Sequence, residues 1–186
     1  MRTEVGQDAS VHPAPLRLLP EAELQIMVRD GDIVCFGHQS ARGYASVADQ
    51  ITPQARAETL EPLLMGNCAV GGASAVWVHG GGPPPLEVTL ATARGSRSPQ
   101  RYVTGVRYRS TAPPERDVML VGRVRVVRPR QALFDLLHDP EAGQATIDLA
   151  VRLLALDPVD LLAERSTVRR PYASLARRRA ALARPY

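Results

Sequence analysis

Residues Val124–Arg152 read VRVVRPRQALFDLLHDPEAGQATIDLAVR. After the β-branched run, Pro129 suits the first turn of a helix, and four apolar residues follow at helical spacing: Ala132, Leu133, Leu136 and Leu137. Asp139-Pro140 predicts the start of a second helix that continues to Leu156. The stretch therefore predicts a strand leading into two helices, with a core built from Leu133, Phe134, Leu136, Ile147 and Leu149.

Upstream of this stretch, residues 86–127 contain three or four short runs that are typical of strands. They are LEVTL at 86–90, VRYRS at 106–110, VMLV at 118–121 and RVRVV at 123–127, the last two meeting at Gly122. The small residues of 68–80 predict a tightly packed helix before these strands. We therefore expect an α+β fold, with a small mixed or antiparallel sheet flanked by helices and a helical C-terminus.

The N-terminal third predicts a partial winged-helix-like segment, residues 15–66. A helix follows Pro20 and ends at Gly31, and DIVCFG (32–37) with GYASV (43–47) predicts a hairpin. Only one helix precedes that hairpin, whereas a complete winged helix-turn-helix has a recognition helix and at least one more before it. The alternative is a helix–strand unit without a role in DNA binding. Residues 1–14 lack periodicity and are expected to be disordered.

Charge is unevenly distributed along the 186 residues. All 23 basic residues are arginines, against 19 acidic residues. Seven of the arginines and no acid occur in residues 165–186, so the other 164 residues carry 16 arginines against 19 acids. This arginine-rich tail, which we expect to form a helix over 174–184, suggests a polyanion or an acidic protein as partner.

Several classes of protein are disfavoured by what the chain lacks. Without lysine it offers no Glu-x-Lys nuclease centre, no phosphate-binding loop ending in Gly-Lys, and no Schiff base. Cys35 and Cys68 have neither metal-ligand spacing nor a disulfide framework, and the histidines do not cluster. We expect a cytoplasmic protein without cofactor or metal, and without a membrane span.

Residues 67–164 carry a set of motifs that we recognise together. They are the segment Ala69–Gly80 with Ser74, the strand Leu86–Leu90, the run Val126–Asp135 with Arg130 and Phe134, and Ile147–Arg152 with Asp148. In this order they resemble the C-terminal half of AbiEi-type antitoxins and transcriptional regulators. The resemblance implies a non-catalytic protein of a bacterial type IV toxin–antitoxin module, which opposes a nucleotidyltransferase-like toxin and represses its own promoter.

Asp135 and Asp148 are the candidates for an acidic pair. Each lies among apolar neighbours, and a carboxylate buried alone is costly, so we expect structural ion pairs. The expected partners are Arg128, Arg130 and Arg152, the last at i+4 from Asp148. The alternative is a nuclease-related catalytic domain that uses these two aspartates.

Two groups of arginines are candidates for binding DNA or a partner protein. The first lies in and after a turn-rich loop: Arg94, Arg97, Arg101, Arg107 and Arg109. The second lies in the tail: Arg169, Arg170, Arg177, Arg178 and Arg179. We expect electrostatic affinity for DNA, located mainly in the tail. A non-catalytic interaction module whose basic tail binds an acidic partner is a further alternative.

Overall fold

The computed structural model describes residues 16, 19–92, 103–109 and 113–183. The helices in these ranges are α1 (Glu21–Asp30), α2 (Pro53–Leu60), α3 (Gly72–Gly80), α4 (Pro129–Leu137), α5 (Gln144–Leu154), α6 (Pro158–Glu164) and α7 (Ala173–Leu182). The strands are β1 (Ile33–His38), β2 (Ala41–Ser46), β3 (Ala69–Val70), β4 (Val88–Ala91), β5 (Val106–Arg109), β6 (Val118–Val121) and β7 (Val124–Val127). The predicted α+β fold is confirmed.

Some sequence-based expectations concern residues outside the described ranges. These are the disordered segment 1–14 and the basic loop with Arg94, Arg97 and Arg101, together with Arg184. Among the residues that are described, no helix has the length and apolar character needed to cross a bilayer.

The chain forms two compact units, of which the first comprises residues 1–35 and 44–51 and the second residues 36–43 and 52–186. In the first unit, Gly31 ends α1 in the left-handed conformation, with φ 84°. Its amide and that of Asp32 donate to the last carbonyls of the helix, at Val28 and Met27, as expected for a glycine at this position. The predicted helix is present, and so is the predicted β1–β2 hairpin, of which residues 36–43 belong to the second unit. The winged-helix interpretation of this segment stays a prediction.

The second unit contains a five-stranded mixed sheet in the order β5-β4-β3-β7-β6. Its central strand, β3, pairs antiparallel with β4 and parallel with β7. The outer pairs are β4 with β5, which is parallel, and β6 with β7, which form an antiparallel hairpin on either side of Gly122.

The prediction of one helix over residues 68–80 is wrong, because Ala69 and Val70 form β3. Val70 is fully buried and pairs with Leu90 on one side and Val126 on the other. Such pairing across the chain outweighs local helix preference. Gly72 then turns the backbone into α3 with φ 52°, a conformation that favours glycine.

The core of the second unit joins the sheet to α3, α4 and α5. Helix α3 packs against β4, β7, α2, α4 and α5. The predicted core is confirmed for four of its members, since Leu133, Phe134, Leu136 and Ile147 are buried, while Leu149 is half-buried. Asp139 does not start the second helix, which begins at Gln144. The carboxylate of Asp139 instead accepts a hydrogen bond from the Glu141 amide and forms an ion pair with Arg109.

Candidate functional site

The structure separates the described arginines of the tail into two groups. Arg165, Arg170 and Arg179 have contacts inside the second unit. Arg169, Arg177 and Arg178 are exposed. The first three arginines therefore stabilise the fold, whereas the other three contribute positive charge to the surface.

Arg179 is buried, with 7% of its surface exposed. Its Nη1 donates to the carbonyl oxygens of Leu137 at 3.2 Å and Asp139 at 2.5 Å, and its Nη2 donates to that of Ala142. The guanidinium thus serves the C-terminal end of α4 and the connection to α5, where a positive charge also suits the helix dipole. The expectation that Arg179 binds DNA is corrected, since its donors are already used inside the protein.

Arg165 and Arg170 belong to a polar network beside α4. Arg170 Nη2 lies 3.2 Å from Asp135 Oδ1, and the Gln131 amide donates to the same oxygen at 2.7 Å. Arg165 donates to Gln131 Oε1 and lies 3.3 Å from Asp117. The carboxylate of Asp135 is therefore compensated by a cation and a hydrogen bond. Its partner is Arg170, which corrects the expected pairing with Arg128 or Arg130.

Both guanidinium groups of this network also contact an aromatic ring. The carbons at the centres of the Arg165 and Arg170 guanidinium groups lie 5.2 and 5.7 Å from the centroid of the Phe134 ring. The ring is buried and sits 4.4 Å from that of His138, centroid to centroid. Phe134 therefore joins the apolar core to the polar network through cation–π contacts.

Burial raises the pKa of Asp135 to about 6. Desolvation of the carboxylate is the largest cause, and it exceeds the opposite effects of Arg170, the Gln131 hydrogen bond and Arg165. Such a raised pKa in a polar cluster is a feature of many functional sites, although structural ion-pair networks produce it too.

This shift predicts a pH dependence of stability. The pKa of Asp135 in the folded state exceeds its value in the unfolded chain, so protonation of this carboxyl favours the folded state. The stabilisation from Asp135 is therefore complete below about pH 4 and is lost as pH rises through about 6. We expect the free energy of unfolding to fall by up to about 3 kcal/mol over that interval on account of Asp135. Urea unfolding of the wild type and of Asp135→Asn at several pH values measures the effect. An identical pH dependence in both proteins would contradict it.

Arg107 and Arg109 lie on one face of β5, as predicted, but acids surround them. Arg107 pairs with Glu87 at 2.5 Å and with Glu141, and Arg109 pairs with Asp139 at 2.5 Å. Their charges are therefore largely compensated within the protein. These ion pairs do not favour the predicted role of the two residues in binding DNA or a partner protein, and that role stays a prediction.

The remaining motif residues have structural contacts. Ser74 is fully buried and its Oγ accepts from the Thr89 amide at 2.9 Å, which ties α3 to β4. Arg130 pairs with Glu164 of α6. Asp148 accepts from Gln144 at 2.9 Å, and no ion pair with Arg152 occurs among the described residues, so the expected i+4 pair is wrong.

The exposed arginines of the tail lie on and next to an anchored helix. Ala176 and Ala180 bury one side of α7, while Arg177 and Arg178 are exposed. Arg169 is exposed four residues before the helix begins. In the described parts of the chain none of these three guanidinium groups pairs with a carboxylate. Their positive charges are available to an external anion.

The described residues contain no group of three or more His, Cys, Asp or Glu side chains arranged to hold a metal ion. Comparison of the chain with protein-family models, with curated proteins and with solved structures gave no match. The resemblance to AbiEi-type proteins therefore stays a prediction.

Proposed function

We propose that this protein is a non-catalytic, antitoxin-like regulator that binds DNA through Arg169, Arg177 and Arg178. The observation that carries the proposal is the exposure of these arginines, none of which has a carboxylate partner within the described ranges. An arginine without an internal partner can neutralise a phosphate and release its counterion. The sequence resemblance supplies the setting: a cytoplasmic type IV toxin–antitoxin module with a nucleotidyltransferase-like toxin.

The anchoring of α7 supports this proposal. Ala176, Ala180 and the hydrogen bonds of Arg179 fix the helix to the second unit, so Arg177 and Arg178 are presented from a rigid element. Less conformational entropy is then lost on binding than with a flexible tail. The rest of the chain, with 16 arginines against 19 acids, adds no net attraction for phosphates.

A nuclease-related function has less support from the two aspartates. Asp135 is compensated by Arg170 and Gln131, and burial raises its pKa to about 6, which weakens it as a metal ligand. Asp148 lies in a separate contact, with Gln144 of α5. The two carboxylates therefore have different hydrogen-bond partners, and the described residues contain no group of three or more potential metal ligands around either of them.

The salt dependence of DNA binding tests the proposal. Each phosphate neutralised contributes about −0.9 to the slope of log affinity against log salt concentration on B-form DNA. Replacing Arg169, Arg177 and Arg178 together with glutamine should therefore flatten this slope by up to about three units and weaken binding to every sequence alike. Fluorescence anisotropy with a short labelled duplex, titrated at several salt concentrations, measures the slope.

A matched control keeps the change in charge and moves it to other exposed sites. Arg116, Arg123 and Arg152 are exposed arginines outside the tail, and replacing these three with glutamine should leave the slope nearly unchanged. Equal slopes for the two triple variants would contradict the proposal. Metal-dependent cleavage of the duplex that is lost in Asp135→Asn would favour the nuclease instead.

A further inference from the structure

A groove in the second unit opens between α4, α6 and α7, with a volume of about 650 Å³. Phe134 and Ala180 are its buried members, and Leu162 lines it in a half-buried position. Val159 and Val168 line it as well, although 54% and 46% of their surfaces are exposed. Large apolar side chains that share one concave surface are a feature of binding sites for other proteins.

Among the described residues, the charged side chains that line this α4–α6–α7 groove belong to Arg165 and Arg177, and no acid lines it. His138 lines it as well, but burial lowers the pKa of its imidazole, which favours the neutral form. Arg165 is engaged with Gln131 and Asp117, whereas Arg177 has only a 3.4 Å contact from its Nε to the Ala173 carbonyl. The groove therefore combines an apolar interior with an available positive charge at its margin.

Arg178 provides a built-in comparison. It is the next residue of α7 and is also exposed, yet it does not line the groove. The lining residues of α7 recur at helical spacing, as Ala173, Arg177, Ala180 and Ala181. One face of α7 thus faces the groove, and Arg178 presents its charge elsewhere.

We infer that the α4–α6–α7 groove binds an amphipathic helical segment of a partner protein, with acidic residues beside its apolar face. Apolar anchors at i, i+3, i+4 and i+7 would fill the groove in the manner of other helix-in-groove complexes. An acidic side chain next to these anchors would meet Arg177, which gives the complex its charge complementarity. A nucleic acid fits this groove less well, because its phosphates find an apolar lining. The inference goes beyond DNA binding and can be tested without DNA.

The test uses a labelled helical peptide with leucines at i, i+3, i+4 and i+7 and glutamates beside them, and a second peptide with lysines in place of the glutamates. Binding to the full chain is measured by fluorescence anisotropy. We expect the glutamate peptide to bind more tightly than the lysine peptide. Arg177→Glu should weaken its binding about fivefold or more, because attraction becomes repulsion, whereas Arg178→Glu should change it less than about twofold.

A second variant tests the apolar part of the groove. Val159→Asp changes a residue that is 54% exposed, and it should weaken binding of the glutamate peptide about tenfold or more. Equal binding of the two peptides, equal effects of Arg177→Glu and Arg178→Glu, or no effect of Val159→Asp would each overturn the inference. So would self-association of the free protein that Val159→Asp abolishes, since a second copy would then occupy the groove. Loss of DNA binding alone bears only on the proposed function.

Discussion

Replacing Arg179 with methionine is expected to lower the free energy of unfolding by about 3–5 kcal/mol. Methionine fills much of the same volume but donates no hydrogen bond, so the carbonyls of Leu137, Asp139 and Ala142 lose their charged donor. A buried carbonyl without a partner costs about 1–3 kcal/mol, and the three losses are not independent. Urea unfolding followed by circular dichroism measures the change.

Arg178→Met is the matched control, since it changes the neighbouring residue of the same helix in the same way. Arg178 is exposed, and its side chain has no hydrogen bond or ion pair among the described residues, so we expect a change within about 0.5 kcal/mol. Arg179→Lys should fall between the two variants, because one ammonium group does not reproduce the planar fork that serves three carbonyls. Equal stability of Arg179→Met and Arg178→Met would show that the buried hydrogen bonds do not stabilise the fold.

Phe134→Ala is expected to destabilise the protein by about 3–5 kcal/mol. The ring is 98% buried, and its removal leaves a cavity below the guanidinium groups of Arg165 and Arg170. For a chain of this size each kcal/mol lowers the midpoint of thermal unfolding by about 2–4 °C. Differential scanning calorimetry should therefore show a decrease of roughly 6–20 °C.

Leu182→Ala is the control, because it also removes a large apolar side chain but from an exposed position. Leu182 belongs to α7 and is 59% exposed, so its truncation should change the midpoint by no more than about 2 °C. An unchanged midpoint in Phe134→Ala would mean that α4 does not bury this residue. That result would also remove the packing on which the polar network beside α4 depends.

The helix ends that can be predicted from sequence are those with local signals. Thr52 and Asp157 accept hydrogen bonds from amides in the first turns of α2 and α6, and proline follows each of them. Gly31 ends α1 in the left-handed conformation, which glycine adopts more readily than other residues. Such caps act within one helical turn, so a sequence can reveal them without knowledge of the rest of the fold.

The missed features depend on residues far apart in the chain. Strand β3 has only two residues and owes its conformation to β4 and β7. Asp135 forms its ion pair with Arg170, which lies on a segment that follows α6. The run Arg177–Arg179 does not by itself indicate which of the three arginines is buried. The spacing of Ala176, Arg179, Ala180 and Ala183 at i, i+3, i+4 and i+7 was a usable signal that Arg179 shares the buried face.

The proposed DNA-binding surface and the α4–α6–α7 groove share Arg177. A partner helix that pairs with this residue removes one of the three cations proposed to contact phosphates. The two proposals together imply that DNA and the acidic partner compete. By thermodynamic linkage each ligand then weakens the other by the same factor.

The hydrogen bonds of Arg179 also make the end of α4 depend on a late part of the chain. The Leu137 carbonyl and its donor are separated by 42 residues, so a chain truncated before Arg179 keeps α4 without the donor that its end requires. In such a chain the carbonyls at the end of α4 would accept from water, and the groove beside α4 would lack much of the wall that α7 provides. The apolar surface of α4 and α6 that α7 covers would then be exposed, which would favour aggregation and proteolysis of the truncated chain.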